Sequence, residues 1–154
     1  MKTLILFLIA MISGTTALAD NSYIPIVKCN GGEFVIDEIR VPHHGSFMRY
    51  FQFIVRNDAI NQDLVDRGAA SHSFRGEVII GGAGSNSTQL GNGTRFIANR
   101  VYDRSGTSRM VTYYAYPTSS STVSLDIYEA TQTGPSSFRN DRLIAQLHFD
   151  HCQM

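Results

Sequence analysis

Residues 122–127 read TVSLDI, an uninterrupted alternation of polar and apolar side chains. Successive side chains of an extended chain point to opposite sides, so this stretch has one apolar row and one polar row. The apolar row is Val123, Leu125 and Ile127, and the polar row is Thr122, Ser124 and Asp126. Such a pattern is typical of a strand in an antiparallel sheet that packs one face on the core and leaves the other in water.

The same alternation recurs along the chain and predicts further strands. Other apolar rows are Phe51, Phe53 and Val55; Phe74, Val78 and Ile80; and Leu143, Ala145, Leu147 and Phe149. β-Branched and aromatic runs between Gly-, Ser-, Asn- and Asp-rich turns indicate strands near residues 23–29, 33–41, 47–56, 74–81, 94–103, 108–116, 122–131 and 141–150. The prediction is an all-β fold, a small antiparallel β-sandwich or closed barrel of about eight strands, with at most one short helix.

Two segments depart from the strand pattern. Asn57 or Asp58 could cap a short helix that would end at Gly68, because both residue types accept a hydrogen bond from a helix N-terminus. Residues 81–93 are rich in Gly and Ser, and their one large apolar residue is Leu90. This composition predicts a mobile loop.

The N-terminal residues have the three parts of a secretory leader. A start with Lys2 precedes an apolar run over residues 4–12, and Ala17-Leu18-Ala19 is a small-x-small cleavage site. The apolar run is shorter than the roughly 20 residues that cross a bilayer. We therefore expect a signal peptide over residues 1–19, cleaved after Ala19, and a single β domain over residues 20–154 without a transmembrane helix. The protein is then expected to be periplasmic or secreted.

The charge of the chain is balanced. It has 13 basic and 13 acidic residues, and removal of Lys2 with the leader leaves 12 against 13. This balance argues against a nucleic-acid partner, because dedicated nucleic-acid binders carry a basic surface. We also expect no cofactor, since the glycine-rich run at 81–84 lacks the Gly-Lys-Ser/Thr ending of a phosphate loop.

The two cysteines, Cys29 and Cys152, lie near the two ends of the expected mature chain. In an exported protein such a pair favours a disulfide, and the alternative is two free, buried thiols. The segment KCNGG at 28–32, followed by a late cysteine, resembles the small bacterial envelope inhibitors of c-type lysozyme, which are single β-barrel domains. The resemblance covers these positions alone and assigns no inhibitory residue.

The histidines suggest one kind of site. His148 and Asp150 share a strand face, and His43 or His44 from a turn would complete a three-ligand set for Zn²⁺ or Cu²⁺. The sequence does not show that the two regions meet. The alternative interpretation is that these histidines are surface or structural residues.

The tyrosines of neighbouring strands give the best indication of function. Residues 113 and 114 fall on opposite faces of a strand, so at least one tyrosine must point outward. Outward tyrosines beside arginines could form a platform for a glycan or a protein partner, and ordinary cross-strand pairing is the alternative. The residues of this predicted platform are Tyr113, Tyr114, Tyr116, Tyr128, Arg100 and Arg109.

The leading hypothesis is an exported, disulfide-stapled, non-enzymatic binding or interaction module of the cell envelope or exterior. One alternative is a small secreted hydrolase or metal-binding protein that uses His148 and Asp150. Another is an eight-stranded outer-membrane barrel. Against the last, the strand at 94–103 places Arg100 on one face and Asn99 on the other.

Overall fold

A computed structural model describes residues 21–70, 76–82, 85–90, 93–104, 107–134 and 137–154. These residues form nine strands and one α-helix. The strands are β1 (Ser22–Cys29), β2 (Phe34–His43), β3 (Ser46–Val55), β4 (Val78–Gly82), β5 (Asn86–Leu90), β6 (Gly93–Arg104), β7 (Thr107–Pro117), β8 (Val123–Gly134) and β9 (Ser137–Phe149). The helix α1 (Asp58–Asp66) follows β3, and a short 3-10 turn (Asn30–Gly32) joins β1 to β2. The predicted signal peptide lies outside the described residues.

The strands form two antiparallel sheets, each ordered as in the sequence. One sheet is β1-β2-β3-β4 and the other is β5-β6-β7-β8-β9. The predicted all-β fold of sandwich or barrel type, with one short helix, is thus confirmed. In the part of the chain that the structure describes, no helix has the length and apolar character needed to cross a membrane.

Both sheets contribute to one hydrophobic core. The predicted row of β8 is buried, with Val123, Leu125 and Ile127 no more than 2% exposed. The predicted row of β3 is buried as well, and Phe53 stands edge-on to Phe34 of β2. Phe34 in turn stacks on Phe149 of β9, which joins the two sheets. Alternating rows that face each other are what a sheet pair needs to bury apolar area.

One end of the core is closed by the helix. Asn57, rather than Asp58, is its N-cap, and its side chain accepts a hydrogen bond from the backbone N–H of Ile60 at 3.1 Å. Leu64 of α1 and Ala69 beyond it are fully buried in the core. The hydroxyl of Tyr113 donates to the carbonyl of Ala69, which ties this end to the five-stranded sheet.

The disulfide joins the first strand to the C-terminal end of the chain. Cys29 and Cys152 are bonded, as expected, and no free cysteine remains. Lys28 and Gln153 exchange two backbone hydrogen bonds of 3.0 and 2.9 Å beside it. The C-terminal residues therefore pair with β1, so the two sheets are connected along this edge by covalent and hydrogen bonds.

The mobile loop predicted at residues 81–93 is wrong in part. Asn86–Leu90 is strand β5, which pairs with β6 from Asn86 opposite Ile97 to Leu90 opposite Gly93. An edge strand is held by backbone hydrogen bonds along one side, so it can form without an apolar row. Prediction from hydrophobic alternation therefore misses it.

The apolar row predicted for β9 is also partly wrong. Ala145 and Phe149 are buried, but Leu143 is 47% exposed. Ala145 pairs with Ile127 and Leu143 pairs with the adjacent Tyr128, so Ile144 is an extra residue in β9. A bulge of this kind places the residues on its N-terminal side on the face opposite to the one that simple alternation predicts, and so Leu143 lies outside.

Candidate functional site

The outer face of the five-stranded sheet carries a cluster of aromatic and polar side chains. Tyr113 and Ala115 of β7 are fully buried, so the alternation of the strand turns Tyr114 and Tyr116 outward. On the neighbouring strand Asp126 pairs directly with Tyr114. We call the cluster the tyrosine face; it consists of Arg95, Tyr114, Tyr116, Asp126, Tyr128 and Asn140.

The carboxylate of Asp126 organises one side of the tyrosine face. Asp126 is 7% exposed, and its Oδ2 accepts a 2.8 Å hydrogen bond from the hydroxyl of Tyr116. Its Oδ1 accepts from Ser124 Oγ at 3.1 Å and from Gln146 Nε2 at 2.8 Å. A buried carboxylate needs such donors because its charge has left water. Asp126 thus fixes the position of the Tyr116 ring.

This hydrogen bond also changes the acidity of the tyrosine. The bond to Asp126 favours the protonated phenol, and partial burial disfavours the phenolate, so the pKa of Tyr116 is raised above its usual value. Tyr116 therefore stays a neutral hydrogen-bonding group well into alkaline conditions.

The other side of the tyrosine face is built on the ring of Tyr114. Tyr128 meets this ring edge-on with centroids 5.8 Å apart, and the guanidinium of Arg95 lies 5.4 Å from its centroid. Asn140 Nδ2 donates to the Tyr114 hydroxyl at 2.7 Å, which leaves that hydroxyl's own hydrogen available for another acceptor. Edge-to-face and cation–π contacts hold the rings in fixed orientations.

Arg95 differs from the other polar groups of the tyrosine face. Its Nε is buried and donates to no acceptor among the described residues. A buried donor without a partner costs roughly 1–3 kcal/mol.

Together these side chains surround a shallow hollow of about 350 Å³. The hollow has aromatic walls, a hydroxyl able to donate and a guanidinium donor. Planar ring faces beside hydrogen-bonding groups suit a ligand that is itself a ring bearing hydroxyls.

The structure separates the residues of the predicted tyrosine platform. Tyr114, Tyr116 and Tyr128 lie together on the outer face, whereas Tyr113 is in the core with its hydroxyl bonded to Ala69. Arg100 pairs with Val111, and Arg109 with Tyr102, in the ladder between β6 and β7. The side chains of both arginines lie outside the described part of the structure; among the described side chains, Arg95 is the cation placed beside the ring of Tyr114.

The residues of the predicted metal site are not brought together. His43 and His44 pack edge-on at the turn between β2 and β3. His43 and Phe34 lie at opposite ends of β2, which is about 30 Å long at 3.3 Å per residue. Phe34 stacks on Phe149, the neighbour of His148, so His148 lies at the end of β2 far from His43. His148 and Asp150 are both exposed beside Phe149. Among the described residues there is no group of three or more His, Cys, Asp or Glu side chains placed to hold a metal ion.

Reasoning from the sequence missed Arg95, Asp126 and Asn140 as members of the site. The alternation places Asp126 on the polar row of its strand, and it does lie there, but as a buried residue. The available signal was the coincidence of tyrosines and an acid on adjacent outward rows. The position of Asn140 depends on the bulges of β9, which the sequence pattern does not show.

No known protein family, curated protein or solved structure matches this chain. The resemblance to lysozyme inhibitors therefore stays confined to the cysteine-containing positions named above. The function has to be inferred from the geometry of the described residues.

Proposed function

We propose that this protein is an exported, non-enzymatic binding domain that recognises a glycan on its tyrosine face. The observation that carries the proposal is the ordered group of outward aromatic rings beside the guanidinium of Arg95, whose Nε donates to no acceptor among the described residues. The predicted leader and the disulfide-stapled sheet support export, because disulfides persist in oxidising compartments.

A binding role fits the arrangement of the polar groups better than a chemical one. Both oxygens of Asp126 already accept hydrogen bonds from side chains of the protein, so the carboxylate positions Tyr116 instead of attacking or deprotonating a substrate. Hydrogen-bonding capacity remains at the hydroxyl of Tyr114 and at the guanidinium of Arg95, which are donors suited to sugar hydroxyls and carboxylates.

A glycan is favoured over a flat protein partner by the shape of the surface. The hollow is small, near the lower end of ligand-site volumes, and its aromatic walls are half-buried. Tyrosine and arginine are also frequent in protein hot spots, but those lie at the centre of contact areas of about 800 Å² per partner. Sugar rings have apolar faces, which can stack on tyrosine, and they carry hydroxyls at their edges.

The test is a screen of the oxidised protein on an array of immobilised glycans, followed by titration of the strongest hit by NMR. Tyr114→Ala and Tyr128→Ala should each weaken binding at least about five-fold, which corresponds to about 1 kcal/mol of lost contact. Tyr23→Ala is the matched control, since Tyr23 is 57% exposed on β1 and belongs to the other sheet.

Two outcomes would overturn the proposal. One is an array without any hit that depends on Tyr114. The other is a protein captured from the envelope or secretome whose binding is lost with Tyr114→Ala, which would make the tyrosine face a protein interface.

A further inference from the structure

A second concave site lies between the two sheets, toward the end of the core away from the helix. Tyr113 of β7 reaches Ala69 beyond the helix, and Pro117, four residues further along the strand, lines this cavity. The cavity has a volume of about 870 Å³. It is larger than the hollow of the tyrosine face and falls in the range of small-molecule sites.

The floor and the rim of the cavity differ in chemistry. The floor is apolar and buried, formed by Val27, Ile36, Phe51, Phe96 and Val123. The rim is exposed and polar, formed by Arg49, Ser87, Gln89, Ser119 and Ser120. An apolar floor below a polar rim fits a molecule with an apolar tail and a polar head.

A charged group is placed between floor and rim. Glu38 continues the inward row of β2 and is 3% exposed. Its Oε1 accepts from Arg40 Nε and its Oε2 from Arg49 Nη2, each at 2.5 Å. The hydrogen bond from Arg49 is the main reason that the pKa of Glu38 lies below its usual value, against the opposing effect of burial. Glu38 is therefore a charged carboxylate with both oxygens engaged.

The ion pairs of Glu38 with Arg40 and Arg49 indicate which charge the head group of a ligand should carry. The carboxylate of Glu38 is already neutralised by two guanidinium groups, so it is a poor partner for a cationic ligand. Arg49 has a 63% exposed side chain on the rim, and a guanidinium carries five N–H donors, more than the one bond to Glu38 uses. The group on the rim best able to bind a ligand head is thus cationic and hydrogen-bond donating.

We propose that the cavity binds a single-chain amphiphile, with its aliphatic tail on the apolar floor and an anionic head group at Arg49. The inference does not depend on the tyrosine face. Tyr116 borders both sites, but none of the steps above uses it.

The experiment measures binding of three probes with the same tail to the oxidised protein by isothermal titration calorimetry below their micelle concentrations. The probes are dodecanoate, dodecanol and dodecyltrimethylammonium. Dodecanoate should bind at least about ten-fold more tightly than the ammonium probe, with dodecanol between them, and the affinity ratio is the measured quantity.

Two variants locate the binding. Arg49→Gln should weaken dodecanoate about ten-fold and leave dodecanol nearly unchanged. The matched control is Arg142→Gln, which removes an exposed arginine that is ion-paired to Glu129 away from the cavity. Ser120→Trp adds bulk at an exposed rim position, where folding is not at risk, and should weaken both probes.

Three results would overturn the proposal. The first is no binding of dodecanoate to the folded protein. The second is binding of the ammonium probe as tight as that of dodecanoate, and the third is full binding by Ser120→Trp. A blank glycan array would leave these measurements unaffected, so the two proposals fail separately.

Discussion

Reduction of the disulfide should remove a large part of the stability of this protein. The bond joins residues 123 positions apart, so it restricts nearly the whole expected mature chain in the unfolded state. The chain-entropy relation gives about 5 kcal/mol at 25 °C for a closed loop of that length. Domains of this size have total unfolding free energies of about 5–15 kcal/mol, so the loss would be a major fraction.

The native state should survive reduction, because other contacts hold the same junction. Lys28 and Gln153 exchange two backbone hydrogen bonds, Asn30 N–H donates to the carbonyl of Asp150, and Cys152 N–H donates to the carbonyl of Ser121. These bonds do not depend on the sulfur bridge. We therefore expect a folded but weakened domain when the thiols are reduced.

The assay is equilibrium urea unfolding followed by far-UV circular dichroism, with and without a phosphine reductant. With an m-value of about 2 kcal/mol/M, the midpoint should fall by about 2–3 M. The reductant has no other target, since the chain has only these two cysteines. A midpoint shift below about 0.5 M would refute the entropic reasoning. Two reactive thiols in the unreduced protein would refute the pairing itself.

Two further predictions concern single residues. Glu38→Gln should lower the unfolding free energy at neutral pH by about 1–3 kcal/mol, because the acceptor of two guanidinium hydrogen bonds loses its charge. Since the pKa of Glu38 is lowered in the fold, its contribution to the unfolding free energy is present at neutral pH and is lost as the pH falls through that lowered value. The variant should therefore lose less stability in acid than the parent protein, as measured by urea unfolding down to about pH 3. If both proteins lost stability equally between neutral pH and about pH 3, this reasoning would be contradicted. Gly81→Ala should lower the melting temperature more than Gly45→Ala. Both glycines have positive φ, so each alanine would be strained. A Cβ at position 81 would in addition overlap the carbonyl oxygen of Phe51, whereas nothing lies within 4 Å of a Cβ at position 45. Equal shifts in thermal unfolding would show that the overlap is relieved without cost.

The strands that bury one face could be predicted from the sequence. In β8, Val123, Leu125 and Ile127 alternate with polar residues over a whole strand, and the core selects that face without ambiguity. In β5 no such selection exists, because the strand is held at an edge through its backbone. The sequence pattern records burial, so an element held by backbone hydrogen bonds alone leaves little trace in it.

The position of the bulges could not be predicted either, and it affects the candidate site. Leu143 continues the apolar row of β9 in the sequence, yet the extra residue Ile144 moves it to the outer face beside Tyr128. Asn140 lies beyond this bulge and beyond a second one, where the register shifts between Glu129 and Ala130. Its side chain donates to the hydroxyl of Tyr114. Membership of the tyrosine face thus depends on register, which is set by pairing between strands and not by one strand's own pattern.

Each candidate site contains a carboxylate whose burial departs from the alternation of apolar inward and polar outward residues along its strand. Glu38 is a charged residue on an inward row, and Asp126 is a nearly buried residue on an outward row. A buried ion pair or hydrogen-bonded carboxylate is weak evidence of stabilisation, since an apolar side chain of similar volume often serves the fold as well or better. The fold alone therefore gives little reason for a carboxylate at either position. Glu38 instead orients Arg49 at the rim of the cavity, and Asp126 orients Tyr116 on the tyrosine face. Residues that depart from the burial pattern of their strand in this way are expected at sites where a protein binds a ligand.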